Sequence, residues 1–131
     1  MGLLHQETTD LIIKAYYKVY NKLGYGFLEK VYENALAHEL RLQGIWCDTQ
    51  KPIKVFYEGE EVGNYFADIV VDDCVILELK AAEQIAPEHE QQLFNYLKAT
   101  TIEVGLVLNF GKKPEFSRKI FKNQFKSAKP A

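Results

Sequence analysis

The stretch from Asp68 to Lys80, Asp-Ile-Val-Val-Asp-Asp-Cys-Val-Ile-Leu-Glu-Leu-Lys, constrains this chain more than any other. Two short runs rich in Val and Ile flank Asp72-Asp73, the pattern of two antiparallel strands joined by a tight turn. Glu78 and Lys80 stand two apart, so on a strand they point to one face. Their neighbours Ile76 and Leu77 are apolar. The strand therefore runs in or beside the core, where an unpaired charge is costly. The register in which Asp68 faces Glu78 also pairs Val71 with Val75 and leaves Asp72-Asp73-Cys74 as a three-residue loop, a common hairpin length. A two-residue turn would put Asp68 opposite Leu77 and send the carboxylates to different faces. The three-residue loop, or a bulge with the same effect, is the expectation. Two carboxylates that meet repel at neutral pH unless a cation sits between them. Taken alone, the same residues also suit a surface Glu–Lys pair on an edge strand.

A chain of 131 residues fits one domain, and 47% apolar with 26% charged residues is ordinary for a globular one. Cys47 and Cys74 have no CxxC spacing and read as small core residues in strands. Met1 to Lys14 holds His5, Gln6, Glu7 and Asp10, which leaves no signal-peptide apolar region. No apolar run reaches membrane-spanning length. A reducing, cytoplasmic setting without membrane contact is expected. The net charge of −2 gives no global sign of a nucleic-acid binder. Residues 112–131 nevertheless carry seven Lys or Arg against the single acid Glu115. Such a basic tail suits phosphate contact and equally a solvated, partly frayed terminus.

Along the chain, Leu11, Ile12, Ala15, Tyr16, Val19 and Leu23 form an apolar stripe, which predicts a helix from about Glu7 to Leu23. Gly24-Tyr25-Gly26 ends it. A second helix is predicted from about Leu28 to Gln43, with Gly44 at the left-handed cap. The period then changes to two. Trp46 to Gln50 reads as a short strand that Pro52 separates from Ile53 to Tyr57, and Glu58-Gly59-Glu60 as a turn. Val62 to Val71 reads as a strand bulged at Gly63, followed by the strand Val75 to Lys80. Pro87 suits the first turn of a helix from Glu88 to Ala99 with Leu93, Phe94 and Leu97 inward. Val104 to Asn109 reads as a buried strand, Gly111 to Pro114 as a loop, and Phe116 to Phe121 as a strand or short helix. The final residues, through Pro130, read as frayed. The strand–helix–strand succession predicts a right-handed parallel crossover. The whole predicts an α/β domain with a mixed central β-sheet flanked by α-helices.

Several chemistries lack their parts. There is no phosphate-loop motif, and Glu29 stands where a dinucleotide fingerprint needs its third glycine after Gly24 and Gly26. His38-Glu39 and His89-Glu90 each lack the second histidine of a zinc motif, and Ser117 and Ser127 are the only serines. Oxygen-ligand chemistry remains. Asp68 and Glu78 suit Mg²⁺ or Mn²⁺, and Lys80 on the same face suits orienting or deprotonating a water, or neutralising charge on a phosphate. A metal and a neighbouring cation are the parts of a phosphodiester hydrolase. By itself, Asp-x9-Glu-x-Lys is a weak signature.

Gly26-Phe27-Leu28-Glu29-Lys30-Val31-Tyr32 matches Gly-x-x-Glu-x-x-Tyr in full. With Asp68, Glu78-Leu79-Lys80 and Gln92-Leu93-Phe94-Asn95-Tyr96, the chain resembles the GxxExxY family of the PD-(D/E)XK nuclease superfamily. The likeness runs from the first helix to the Val104–Gly111 region and implies a restriction-endonuclease-like core. It implies that Asp68 and Glu78 are metal ligands, joined by the Leu79 backbone carbonyl, that Lys80 is the catalytic lysine, and that Glu29 completes the site from its helix. Gln92 and Tyr96 match the Gln-x3-Tyr element of RecB-like nucleases, where it supports the site and the nucleic acid. Four apart, they share one helix face. Ala67 replaces the usual Pro before the motif Asp.

Plainer roles stand beside these. Glu29 in a first helical turn favours the helix dipole, Tyr32 belongs to an apolar stripe, and Gln92 with Tyr96 suits a buried hydrogen-bonded pair. His89 reads as solvated. Tyr16, Tyr17, Tyr20 and Tyr25 suit helix packing better than base stacking. The resemblance implies hydrolysis of DNA, with RNA as the second candidate, through a metal-activated water. A chain this short has little room for a target-recognition domain, so structure-selective or end-directed activity, a homodimer or a partner protein would fill that place. The rival is a non-cleaving module that keeps the nuclease fold, binding metal, nucleic acid or protein. The acidity of the chain favours that rival, since nucleases commonly present a basic groove, whereas Lys80 favours cleavage. A carboxylate-pair sugar hydrolase, with carboxyls about 5–9.5 Å apart, gives Lys80 no role.

Overall fold

The computed structural model describes residues 3–126. Helices α1 (Gln6–Leu23) and α2 (Glu29–Leu42) form where the apolar stripes predict them. Ile12, Ala15, Tyr16 and Val19 of α1 and Tyr32, Leu36 and Leu40 of α2 are buried. At Gly44 the chain turns left-handed (φ +77°), and the Ile45 N–H donates to the Leu40 carbonyl at 2.9 Å. This is the glycine-capped helix end that the sequence announces.

Strands β1 (Cys47–Tyr57), β2 (Glu60–Val71), β3 (Val75–Lys80), β4 (Val104–Phe110) and β5 (Pro114–Ile120) make one sheet in that order. Helix α3 (Pro87–Lys98) joins β3 to β4, which run parallel, while the other neighbours run antiparallel. A short 3₁₀ turn at Asn123–Phe125 follows. Helices α1 and α2 cover one face over Ile69, Val71, Leu77, Leu79 and Leu106. On the other face, Leu93, Tyr96 and Leu97 of α3 pack on Ile53, Ala67, Val70, Ile76 and Val107. Buried on both sides, β4 is apolar from Val104 to Leu108 without alternation. Gly105 permits the closest approach, since a Cβ there would lie 2.5 Å from Leu93 Cδ1.

Several local expectations are corrected. Strand β1 does not break at Pro52, which pairs with Phe66, because an edge strand tolerates a residue without an N–H. Trp46 lies outside it and is exposed. The hairpin turn is Glu58-Gly59 alone, both left-handed, and Glu60 already pairs with Tyr57. The register shifts between Val55–Gly63 and Phe56–Glu61, so the extra residue is Val62, beside Gly63 rather than Gly63 itself. Cys47 is buried in β1, whereas Cys74 is half-buried in the β2–β3 loop, and both thiols are free. On α3, Tyr96 takes the inward place expected of Phe94, which is partly exposed. His89 is not merely solvated: its Nδ1 accepts the Ala86 N–H at 3.0 Å and caps α3.

Residues 116–120 lie in strand β5. The basic stretch is therefore largely built into the domain. Lys119 pairs with Glu90 at 2.8 Å, and Lys126 donates to the carbonyls of Thr100 and Ile102 at 2.7 and 3.0 Å. Lys129 and the terminus expected to fray, through Pro130, lie outside the described residues. Two of the tyrosines considered for stacking tie α1 to the sheet instead. The Tyr16 hydroxyl donates to the Asn109 carbonyl and accepts the Glu115 N–H at 2.9 Å, and the Tyr20 hydroxyl donates to the Gly111 carbonyl at 2.6 Å.

Candidate active site

The β2–β3 turn sets the site. Asp72 and Asp73 both adopt left-handed backbone (φ +49° and +52°), a conformation that Asp tolerates better than most residues. The turn that results pairs Val71 with Val75, Val70 with Ile76 and Ile69 with Leu77. This is the three-residue loop expected from the sequence, and it places Asp68 across from Glu78. The strand ladder stops there and the side chains take over. Asp68 Oδ2 accepts the Leu79 N–H at 2.8 Å, and Glu78 Oε1 accepts the Asp68 N–H at 3.4 Å.

The pair is electrostatically unhappy. Glu78 is only 2% exposed, and burial, followed by the charge of Asp68, pushes its carboxyl up to about 8. Burial also raises Asp68, with the charges of Glu33 and Glu29 adding to it while the Leu79 N–H and Lys80 oppose. Lys80, half-buried on the face of Glu78, donates from Nζ to Gln92 Oε1 at 3.0 Å. Gln92 Nε2 donates in turn to the Tyr96 hydroxyl at 3.0 Å. Burial raises Tyr96 as well, with Glu78 the next cause. The Gln-x3-Tyr pair thus aims the lysine as well as forming the hydrogen-bonded unit that its spacing suggests.

Glu29 stands apart. It opens α2 and is exposed, and its charge is the smallest of the causes that raise the two carboxyls. Among the described residues, no three His, Cys, Asp or Glu side chains form a cluster placed to hold a metal ion. Tyr32 is core: it is fully buried, stacks on Phe110 at 4.1 Å, and its hydroxyl donates to the Gly24 carbonyl at 2.7 Å.

Three neighbours are absent from the sequence reading. Glu33, one helical turn beyond Glu29, is 4% exposed and accepts from Lys30 Nζ at 2.7 Å and from Gln50 Nε2 at 2.6 Å. Its four-residue spacing from Glu29 was the available signal. Gln50 had none. Asn109, a polar residue closing an apolar run, pairs in register with Lys80. Its amide grips the Ala82 N–H and carbonyl, both at 2.9 Å, and so fixes the chain that leaves β3.

A five-stranded mixed sheet between helices, with an Asp and a Glu-x-Lys brought together on adjacent strands, defines a class. A family model described as PD-(D/E)XK nuclease superfamily matches residues 6–120. The chain belongs to that superfamily, and its fold is the restriction-endonuclease-like α/β fold of such domains. No curated protein and no solved structure matches it. No helix among the described residues is long and apolar enough to cross a membrane.

Proposed function

We propose that the chain is a Mg²⁺- or Mn²⁺-dependent nuclease of the GxxExxY type that hydrolyses phosphodiester bonds in DNA. One observation carries the reading: a buried glutamate faces an aspartate beside a lysine on the same strand face. Such a pair is costly when ionised, and a hard divalent cation with carboxylate ligands removes that cost. Asp68, Glu78 and the Leu79 carbonyl are the ligands we propose, a two-carboxylate set to which Glu29 would have to be brought from α2. When bound, the cation polarises the phosphoryl group and activates a water.

The chain's own residues do the rest. Lys80, aimed by Gln92 and Tyr96, stabilises the charge that develops on the phosphate and orients the attacking water. Asn109 holds the strand end that carries Lys80. A non-cleaving module is the second reading, supported by the exposure of Glu29 and by the absence of a three-acid cluster among the described residues.

Calorimetric Mn²⁺ and Mg²⁺ titrations of the wild type and Glu78→Ala test the reading, with DNA cleavage assays on the same samples and on Lys80→Ala. Loss of metal binding in Glu78→Ala, with cleavage lost in both variants, is the expected result. Metal binding without cleavage of single-stranded, duplex or branched DNA or RNA selects the module. No metal binding removes the site.

A further inference from the structure

The β1–β2 hairpin extends well past the rest of the sheet. β3 pairs with β2 only at residues 69–71, so residues 60–67 of β2, apart from the bulged Val62, pair with β1 alone. Between this overhang and α3 lies an open groove of about 1140 Å³. Its α3 wall includes Gln92 and Tyr96, the two residues that aim Lys80. The groove therefore borders the residues that hold Lys80, one hydrogen bond away from the candidate active site.

The lining has a specific chemistry. Phe56 and Tyr65 enter from the hairpin and keep 41% and 52% of their surface exposed. The Tyr65 ring rests against Tyr96, with centroids 5.9 Å apart, which fixes the plane it presents. Opposite, Gln91 and Asn95 offer exposed amides, joined to each other at 3.0 Å. The charges nearly cancel: Lys54 and Lys98 are set against Glu58 and Glu88.

Duplex DNA is held chiefly through its phosphates, which calls for an excess of cations. This groove has no such excess. It offers aromatic faces and amides, and these serve bases whose faces and edges are not already used in a helix. We infer that the groove receives a single-stranded stretch of nucleic acid, with bases stacked on Phe56 and Tyr65, and delivers it to Asp68, Glu78 and Lys80. The direction of delivery rests on the nuclease reading; the stacking does not.

The test is fluorescence anisotropy in EDTA with a labelled oligothymidine and with a duplex containing the same strand. The proteins are the wild type, Tyr65→Leu and Phe56→Leu, which keep apolar bulk but lose the ring, with circular dichroism as the check on folding. The wild type is expected to bind the single strand at least about tenfold more tightly than the duplex, and each folded variant to lose about fivefold or more. The dependence on salt should be shallow. Equal or tighter duplex binding, no binding, or unchanged affinity in both folded variants overturns the inference. So does self-association that Tyr65→Leu abolishes in place of oligonucleotide binding, since the groove would then belong to a second copy. Ring-dependent single-strand binding without cleavage in Mn²⁺ leaves this inference standing and removes the nuclease reading. Cleavage that needs Glu78 but ignores both rings does the reverse.

Discussion

Gln50 and Asp68 lie across from one another on β1 and β2, and the strand ladder is interrupted at that pair. Thr49 joins Ile69 and Lys51 joins Ala67, while Gln50 itself is left-handed (φ +51°). The alternation of faces breaks with it. Ile69 packs beneath α1 and α2, yet Ala67, two residues earlier, packs beneath α3. The irregularity frees the Asp68 N–H from β1 and turns the side chain toward Leu79. Glu33 anchors the opposite side by accepting from Gln50. Gln50→Leu should therefore lower Mn²⁺ affinity by about tenfold, as outer-shell changes do, in a protein that still folds. Calorimetry beside a urea melt checks this, and unchanged affinity would remove Gln50 from any role at the site.

The raised carboxyls predict a pH dependence of opposite sign to the usual acid denaturation. Glu78 moves from an ordinary value of 4.5 up to about 8 in the fold, and Asp68 is also raised. Between those values the folded state binds more protons than the unfolded one, so stability falls as pH rises. The contribution is fully present below the ordinary carboxyl range and gone above about 8. In EDTA, the unfolding free energy from urea melts should therefore drop from pH 5 toward pH 8, by on the order of a few kcal/mol. Glu78→Gln should flatten most of that slope, and saturating Mn²⁺ should cancel it in the wild type.

Lys80 offers a cleaner separation of binding from chemistry. Its Nζ donates to Gln92 rather than to either carboxylate. Lys80→Met should leave Mn²⁺ affinity within about threefold while cleavage falls by about 10²-fold or more. Equal loss of both would make Lys80 part of the metal site's structure instead.

The α3–β4 contact has no slack. Gly105→Ala would drive a methyl into Leu93, with Cδ1 at 2.5 Å and Cγ at 3.0 Å. Overpacking of this kind costs about 1–3 kcal/mol, read as a lower urea midpoint with an unchanged slope. A midpoint equal to that of the wild type would mean that Leu93 has space to turn.

Much of this architecture was legible because local signals agreed with tertiary ones. The Asp72-Asp73 turn, the parity of Glu78 and Lys80 and the four-residue spacing of Gln92 and Tyr96 each follow from geometry that neighbouring residues impose on one another. The misses share a different cause. Pro52 reads as a breaker until the strand is known to be an edge, and nothing local says that it is. Phe94 and Tyr96 flank the Leu93–Leu97 stripe on opposite sides, and spacing alone does not say toward which flank the buried face leans. Glu33 and Gln50 meet only because α2 crosses the end of β1, a juxtaposition that spacing cannot express.

The bond from Leu79 N–H to Asp68 bears on how this site would decay under evolution. A carboxylate that completes a sheet's backbone hydrogen bonding is retained by selection for folding, even after catalysis has ceased. The Lys80 ammonium group, which bonds a glutamine side chain and completes no backbone hydrogen bond, has no such protection. Among descendants that have retired from catalysis, the aspartate should therefore outlast the lysine. It is the lysine whose persistence separates working enzymes from inherited scaffolds.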